Sequence, residues 1–237
     1  MAIPNACSVI SPKLKDICFS AYQYYLSLLF MDMKAYFSLT GYGEAYENLS
    51  GTELAQLDLF DLLTAGENTR QLLTSALRFF IPEDIMYAKE KNCFLVCNAD
   101  GSRAGTISGK NYALVCDVIR QRNHFKSAVQ EDLTNIKNKK ALEIAKKLKQ
   151  GRAQKNAAAK PDDDMELGNI ISAVAGKSQT LNLLNIWDLT VFQLWDSFFR
   201  LSSNNLYAIQ SMSVAAWGDK DKHFDAASWF RRINHEP

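Results

Sequence analysis

Between residues 135 and 160 the chain carries nine Lys or Arg residues against a single acid, Glu143, and no aromatic residue. A stretch so poor in large apolar side chains cannot bury enough surface to form a core of its own. It separates a first part with strong apolar periodicity from a last part that holds all four tryptophans, between Trp187 and Trp229. The sequence therefore predicts two compact parts joined by a charged strap. Residues 1–127 read as an α+β domain, 128–165 as a basic helix and linker, and 166–237 as an aromatic-rich helical module. Within the strap, Leu142, Ile144, Ala145 and Leu148 give a weak helical stripe, which frays near Gly151 and ends at Pro161. Asp162, Asp163 and Asp164 then reverse the charge abruptly.

The first part begins with apolar residues at three- and four-residue steps from Leu14 to Met33, which predicts one or two helices over 13–39. GYGEAYENLSG reads as a turn-rich connection. Glu53–Leu63 has helical periodicity and is stopped at Ala65-Gly66, and Glu67–Phe80 is a further amphipathic helix closed by Pro82. The pattern then shortens to three strand-like segments, Asp84–Lys89, Cys93–Asn98 and Ala104–Ser108. Asn98-Ala99-Asp100-Gly101 supplies a hairpin turn, because Gly, Asn and Asp tolerate positive φ. A helix resumes over Asn111–Gln121. The fold class expected is α+β, mainly helical, with a small antiparallel meander.

In the last part, Leu167–Val174 predicts a helix broken at Ala175-Gly176-Lys177-Ser178. Asn185 is a plausible N-cap, with Asp188 three residues on. Ser202-Ser203-Asn204-Asn205 reads as a turn, with Leu206–Trp217 as a separate second helix. That gives residues 189–217 a helix-turn-helix outline. Phe224–Ile233 reads as a short amphipathic end.

A net charge of +1 gives no global pull toward nucleic acid or membrane. Five cysteines at irregular spacing make a poor disulfide framework and predict free thiols in a reducing compartment. The N-terminal residues do not resemble a signal peptide. Asp32 and Lys34 interrupt the apolar run from Tyr22 to Phe37, which is too short to span a bilayer. A soluble, cytoplasmic protein is expected.

No catalytic constellation emerges. Gly176-Lys177-Ser178 matches the tail of a phosphate-binding loop, but Ile171 stands where the first glycine is required, so a helix end is the better reading. Cys93 and Cys97 have only His124 nearby to complete a metal site, so packing on one strand face is preferred. His124, His223 and His235 lack a nucleophile partner. Neither cofactor nor metal is expected, and the protein is read as a non-enzyme. Lys139, Lys140, Lys146, Lys147, Lys149 and Arg152 could hold phosphates without sequence preference, yet the segment Leu206–Trp217 has no basic residue to touch a nucleic-acid backbone. The aromatic residues admit two readings, a small core and exposed anchors for another protein. Trp187, Trp195, Phe199, Trp229 and Phe230, with Arg231 and Arg232, are the contact candidates, since Trp and Arg favour binding hot spots.

Three segments carry a resemblance: KALEIAKKLKQGR (140–152), IISAVAGKSQTLNLLNIWDLTVFQLWDSFFRL (170–201) and WGDKDKHFDAASWFRRI (217–233). Together they resemble tail assembly chaperone-like proteins of tailed bacteriophages that infect Gram-positive bacteria. The resemblance implies a non-enzymatic role: binding the tape-measure protein, or other tail proteins, and keeping it soluble until the tube assembles around it. Self-association is compatible with that role. Two other readings remain, a structural tail or baseplate protein retained in the virion and a nucleic-acid adaptor working through the lysine-rich segment.

Overall fold

The computed structural model describes residues 1–124, 165–219 and 222–231. The predicted basic helix, with Lys139, Lys140, Lys146, Lys147, Lys149 and Arg152, lies outside the described residues, as does Arg232. The chain divides into two compact units, Met1–Phe125 with Trp187–Phe192, and Lys126–Ile186 with Gln193–Pro237. The fold is α+β and mainly helical, with a small antiparallel sheet.

In the first unit a two-stranded hairpin, β1 (Ala2–Ile3) and β2 (Cys7–Ser8), opens the chain. Short strands of this kind leave no periodicity to read, and the sequence gives no sign of them. There follow α1 (Phe19–Leu29), α2 (Met33–Leu39), α3 (Gly43–Asn48), α4 (Gly51–Gln56), α5 (Leu59–Ala65) and α6 (Glu67–Phe80). The stretch expected to be a turn-rich connection holds α3 and the start of α4. A capping box between Ser50 and Glu53 starts α4 there. The single helix expected over 53–63 is two helices, because the Asp58 side chain accepts from Phe60 N–H at 2.7 Å and begins α5.

α6 has the predicted bounds. Leu73, Ala76, Leu77 and Phe80 form its buried stripe, and it ends at Ile81, before Pro82. Strands β3 (Asp84–Ala88), β4 (Cys93–Cys97) and β5 (Arg103–Ile107) form the predicted meander. Its register pairs Ile85 with Val96 and Phe94 with Ile107, which puts these residues on the core face. Gly101 closes the hairpin at φ +80°, with its N–H donating to Asn98 O at 2.9 Å. Cys93 and Cys97 share the opposite face, and all five cysteines are free. A second capping box, Ser108 with Asn111, starts α7 (Gly109–Arg122).

Phe60, Leu63, Leu73, Phe80, Phe94 and Ile107 are among the fully buried side chains of this unit. Trp187–Phe192 belongs to it through backbone pairing. Leu14 N–H donates to Leu189 O, Val191 N–H to Pro12 O, and Phe192 N–H to Ser11 Oγ, all within 3.0 Å. Phe192 also stacks on His124, with ring centroids 4.9 Å apart.

In the second unit α8 (Leu167–Lys177) buries Leu167, Ile170, Ile171 and Val174. Gly176 and Lys177 are its last residues, so the phosphate-loop-like triplet is a helix end. Asn185 does not cap a long helix. Its side chain accepts from Asn182 N–H and donates to Thr180 O, stapling the loop, and only a 3-10 turn, Ile186–Asp188, follows. The long helix is α9 (Val191–Trp217). The expected turn at Ser202–Asn205 lies inside it, so the helix-turn-helix outline is wrong. The expected amphipathic end at Phe224–Ile233 contains only a 3-10 turn, Ser228–Phe230, among its described residues.

Candidate interaction surface

α9 is continuous because nothing between Val191 and Trp217 can break it. The segment has no Gly and no Pro. Four consecutive Ser and Asn residues cost roughly 0.5 kcal/mol each relative to Ala, which long flanking helical runs outweigh. The stop comes at Gly218, at φ +78°, whose N–H donates to Val214 O at 2.8 Å.

Beyond the stop, Asp219 turns the chain by accepting from the N–H groups of His223 and Phe224, both at 3.0 Å. The chain then runs back along the helix. Phe224 meets Tyr207 with centroids 5.7 Å apart, and Arg200 donates to Arg231 O at 2.9 Å. Ser203 makes a longer contact of 3.5 Å to Ser228 O. The carboxylate of Asp225 holds the Arg231 guanidinium at 2.9 Å. Arg200, Ser203 and Tyr207 therefore define the face of α9 that its own C-terminal strap covers. Where helix and strap part, an open cleft of about 480 Å³ lies between Trp217, Val214, Asp219 and Phe224.

The opposite face is bare. Leu206, Ile209 and Met212 there are 56 %, 62 % and 65 % exposed, and Trp217, at the edge of that face beside the cleft, is 81 % exposed. At 100° per residue the line through Leu206 and Ile209 lies about 120° round the helix from the strap. No Asp, Glu, Lys, Arg or His occurs between Leu201 and Gly218. A solvated helix face ordinarily carries charges, so an exposed face with none marks a surface meant to be covered. These four side chains offer on the order of 500 Å² of apolar area, about 12 kcal/mol of gross transfer free energy at the usual coefficient. Ordering and association costs consume most of that figure.

The contact candidates chosen from the sequence are distributed differently. Trp195 and Phe199 stack at 5.7 Å with Phe198 edge-on beside them, and all three are half-buried in the first turns of α9. Trp187 is 38 % exposed in the 3-10 turn and clusters with the first unit. Trp229 and Phe230 are 49 % and 59 % exposed, edge-on at 5.1 Å, on the strap. Arg231 is engaged with Asp225. Leu206, Ile209 and Met212 are not residue types that mark a hot spot, and Trp217 is exposed on α9 although its segment is not among the sequence candidates. The missing charges after Arg200 were the signal for them.

Among the described residues, no helix is long and apolar enough to cross a membrane, and no group of three or more His, Cys, Asp or Glu is placed to hold a metal ion.

Residues 155–234 match the family model of the YomV second domain, which belongs to a phage-type protein family. That span is 80 of the 237 residues and takes in α8, α9 and the described strap. No curated protein and no solved structure matches the chain.

Proposed function

We propose that this chain is a non-enzymatic binding protein of a tailed phage that holds an apolar helical stretch of a tail protein on the bare face of α9. Its client is the tape-measure protein, kept soluble until the tail tube forms. The uncharged, exposed face from Leu206 to Trp217 is the observation that carries this reading. A long helical client exposes apolar stripes before assembly, and helix-against-helix recognition uses side chains three and four apart. The cleft beside Trp217 offers a place for one anchoring side chain of the client. The match of residues 155–234 to a domain of a phage-type family supports the phage setting.

The test is co-expression with the tape-measure protein of the same phage, followed by pull-down at moderate salt. Wild type is expected to keep the client soluble and co-purify with it. The pair Ile209→Asp with Met212→Asp should lower recovery at least about tenfold, since each carboxylate would be buried without a partner. Both positions are exposed, so folding is spared. Equal recovery with the double variant, or a client soluble without this chain, would refute the reading. So would stoichiometric presence of the protein in purified virions.

A further inference from the structure

The cleft between α9 and its C-terminal strap carries chemistry that the bare face lacks. We propose that it takes an arginine side chain of the helical client, with the guanidinium held between the Trp217 ring and the Asp219 carboxylate. The inference rests on the client reading above and names the residue type that anchors the client.

The walls follow from where the helix stops. Gln210, Val214 and Trp217 are four and three residues apart, so they share one side of the last turns of α9, with Ser213 beside them. Gly218 ends the helix and Asp219 turns the chain, which brings His223 and Phe224 to the other side of the cleft. Asp219 is fixed in place. Its Oδ1 accepts from His223 N–H and its Oδ2 from Phe224 N–H, and the Phe224 ring is backed by Tyr207.

These walls select a cation. Both bonds to Asp219 come from neutral backbone donors, and among the described residues no Lys or Arg pairs with its carboxylate. Each of its oxygens keeps a lone pair for a further donor. Trp217 is the most exposed aromatic ring of α9, and indole is the ring that a cation prefers. The Gln210 carbonyl and the Ser213 hydroxyl add neutral acceptors, which suit the five donors and flat face of a guanidinium better than the compact charge of an ammonium. An apolar anchor would cover Asp219 without giving it a partner, which costs free energy, and an acidic anchor would be repelled. The volume of about 480 Å³ falls within the roughly 300–1,000 Å³ of sites that enclose a whole small ligand, so the side chain enters with its flanking backbone. Trp217 borders both the cleft and the bare face, so an arginine at the edge of the client's apolar stripe reaches Asp219 while the stripe itself lies on α9.

The test uses the full chain and a probe that needs no client, N-acetyl-arginine amide, with the citrulline and leucine analogues as neutral controls. The indole N–H resonance of Trp217, assigned by its loss in Trp217→Phe, reports on the cleft. The arginine analogue should shift it saturably with a dissociation constant on the order of 1–10 mM, and the controls should leave it in place. Asp219→Asn removes the charge with little change of bulk and should weaken binding about threefold. Gln210→Lys puts a cation on the helix wall, leaves the turn intact, and should weaken binding at least as much. In the pull-down both variants should lower client recovery about two- to fivefold. No shift up to about 50 mM analogue, an equal response to citrulline, or undiminished binding by either variant would overturn the inference. Recovery lost in the Ile209→Asp, Met212→Asp pair but kept in both cleft variants would overturn it alone. Failure of the wild type to recover the client would overturn the client reading, with the arginine selectivity of the cleft still decided by the titration.

Discussion

Gly105 on β5 sits against the N-terminal hairpin so closely that the hairpin's docking depends on its missing side chain. A Cβ built there would overlap Ala6 O and stand 2.5 Å from both Ala6 N and Asn5 C. These are backbone atoms, so no rotamer change relieves the contact. For Gly105→Ala the hairpin must move away from β5, which breaks the 3.0 Å bond from Thr106 N–H to Asn5 O. At an unconstrained position the same substitution would stabilise by roughly 0.4–1 kcal/mol through the unfolded chain. Here a rigid overlap costs more than that gain. The hairpin segment carries Ile3, Ala6, Cys7 and Val9, all buried. Losing their docking altogether would forfeit on the order of 400 Å², about 10 kcal/mol gross as an upper bound. Partial lifting gives an expected loss of about 2–5 kcal/mol. Urea unfolding reads the global loss, and reaction of Cys7 with a thiol reagent reads local lifting of the hairpin. An unchanged or raised midpoint with Cys7 still silent would refute the argument.

Asn92 ends the turn between β3 and β4 in the left-handed region, at φ +42°, and its amide joins three neighbours. It accepts from Thr64 Oγ1 and the Tyr87 hydroxyl and donates to Asp61, at 2.6–2.8 Å. Asn92→Gly should therefore lose the bonds alone, and Asn92→Ala should be about 1 kcal/mol less stable again because of the strained backbone, as read by urea midpoints. Burial pushes the thiols of Cys7 and Cys116 up to about 12 and raises the hydroxyls of Tyr22 and Tyr112 as well. At Cys18 a hydrogen bond from Ser20, with the Ala21 and Ser20 N–H groups, lowers the thiol below its ordinary value. Cys18 should be alkylated first near neutral pH, with Cys7 and Cys116 reacting only on unfolding. Because the unfolded chain loses those buried protons first, folding stability should fall as pH rises above 9 and steepen above 10, when the tyrosines join. Each buried thiol contributes a slope of about 1.4 kcal/mol per pH unit, measurable as urea midpoints at pH 8 and 10.5.

Periodicity was enough to place α6 and the meander, because each carries a complete local signal. In α6 the buried stripe and a proline stop agree, and in the sheet an Asn-Ala-Asp-Gly turn separates two short strand-like runs. Side-chain caps, not periodicity, start α4 and α5, so Ser50 and Asp58 cut what looked like a loop and a single helix. At Ser202–Asn205 local preference pointed to a turn, yet helix on both sides prevailed. The pairing of Trp187–Phe192 with residues 11–14 is set by backbone atoms more than 170 positions apart, which no local pattern encodes. The candidate surface is equally illegible by residue type: Trp195 and Trp217 are both tryptophans on α9, yet one is half-buried and the other 81 % exposed, because exposure is decided by what packs beside each.

Salt separates the competing sources of binding. Contacts through Lys139, Lys140, Lys146, Lys147, Lys149 and Arg152 to a phosphate backbone release counterions, so affinity falls steeply as salt rises. Contacts through Leu206, Ile209, Met212 and Trp217 involve no charge on this chain, and sulfate should strengthen them by disfavouring exposed apolar surface. The Ile209→Asp, Met212→Asp pair sharpens the comparison, because it adds negative charge and removes apolar area at one place. A partner held on α9 would be lost from this variant at every salt concentration, while a nucleic acid held by the lysines would respond to salt and ignore the two aspartates. Capture that weakens tenfold or more between 50 and 200 mM salt, in wild type and variant alike, would therefore place the binding function on the lysines and not on the long helix.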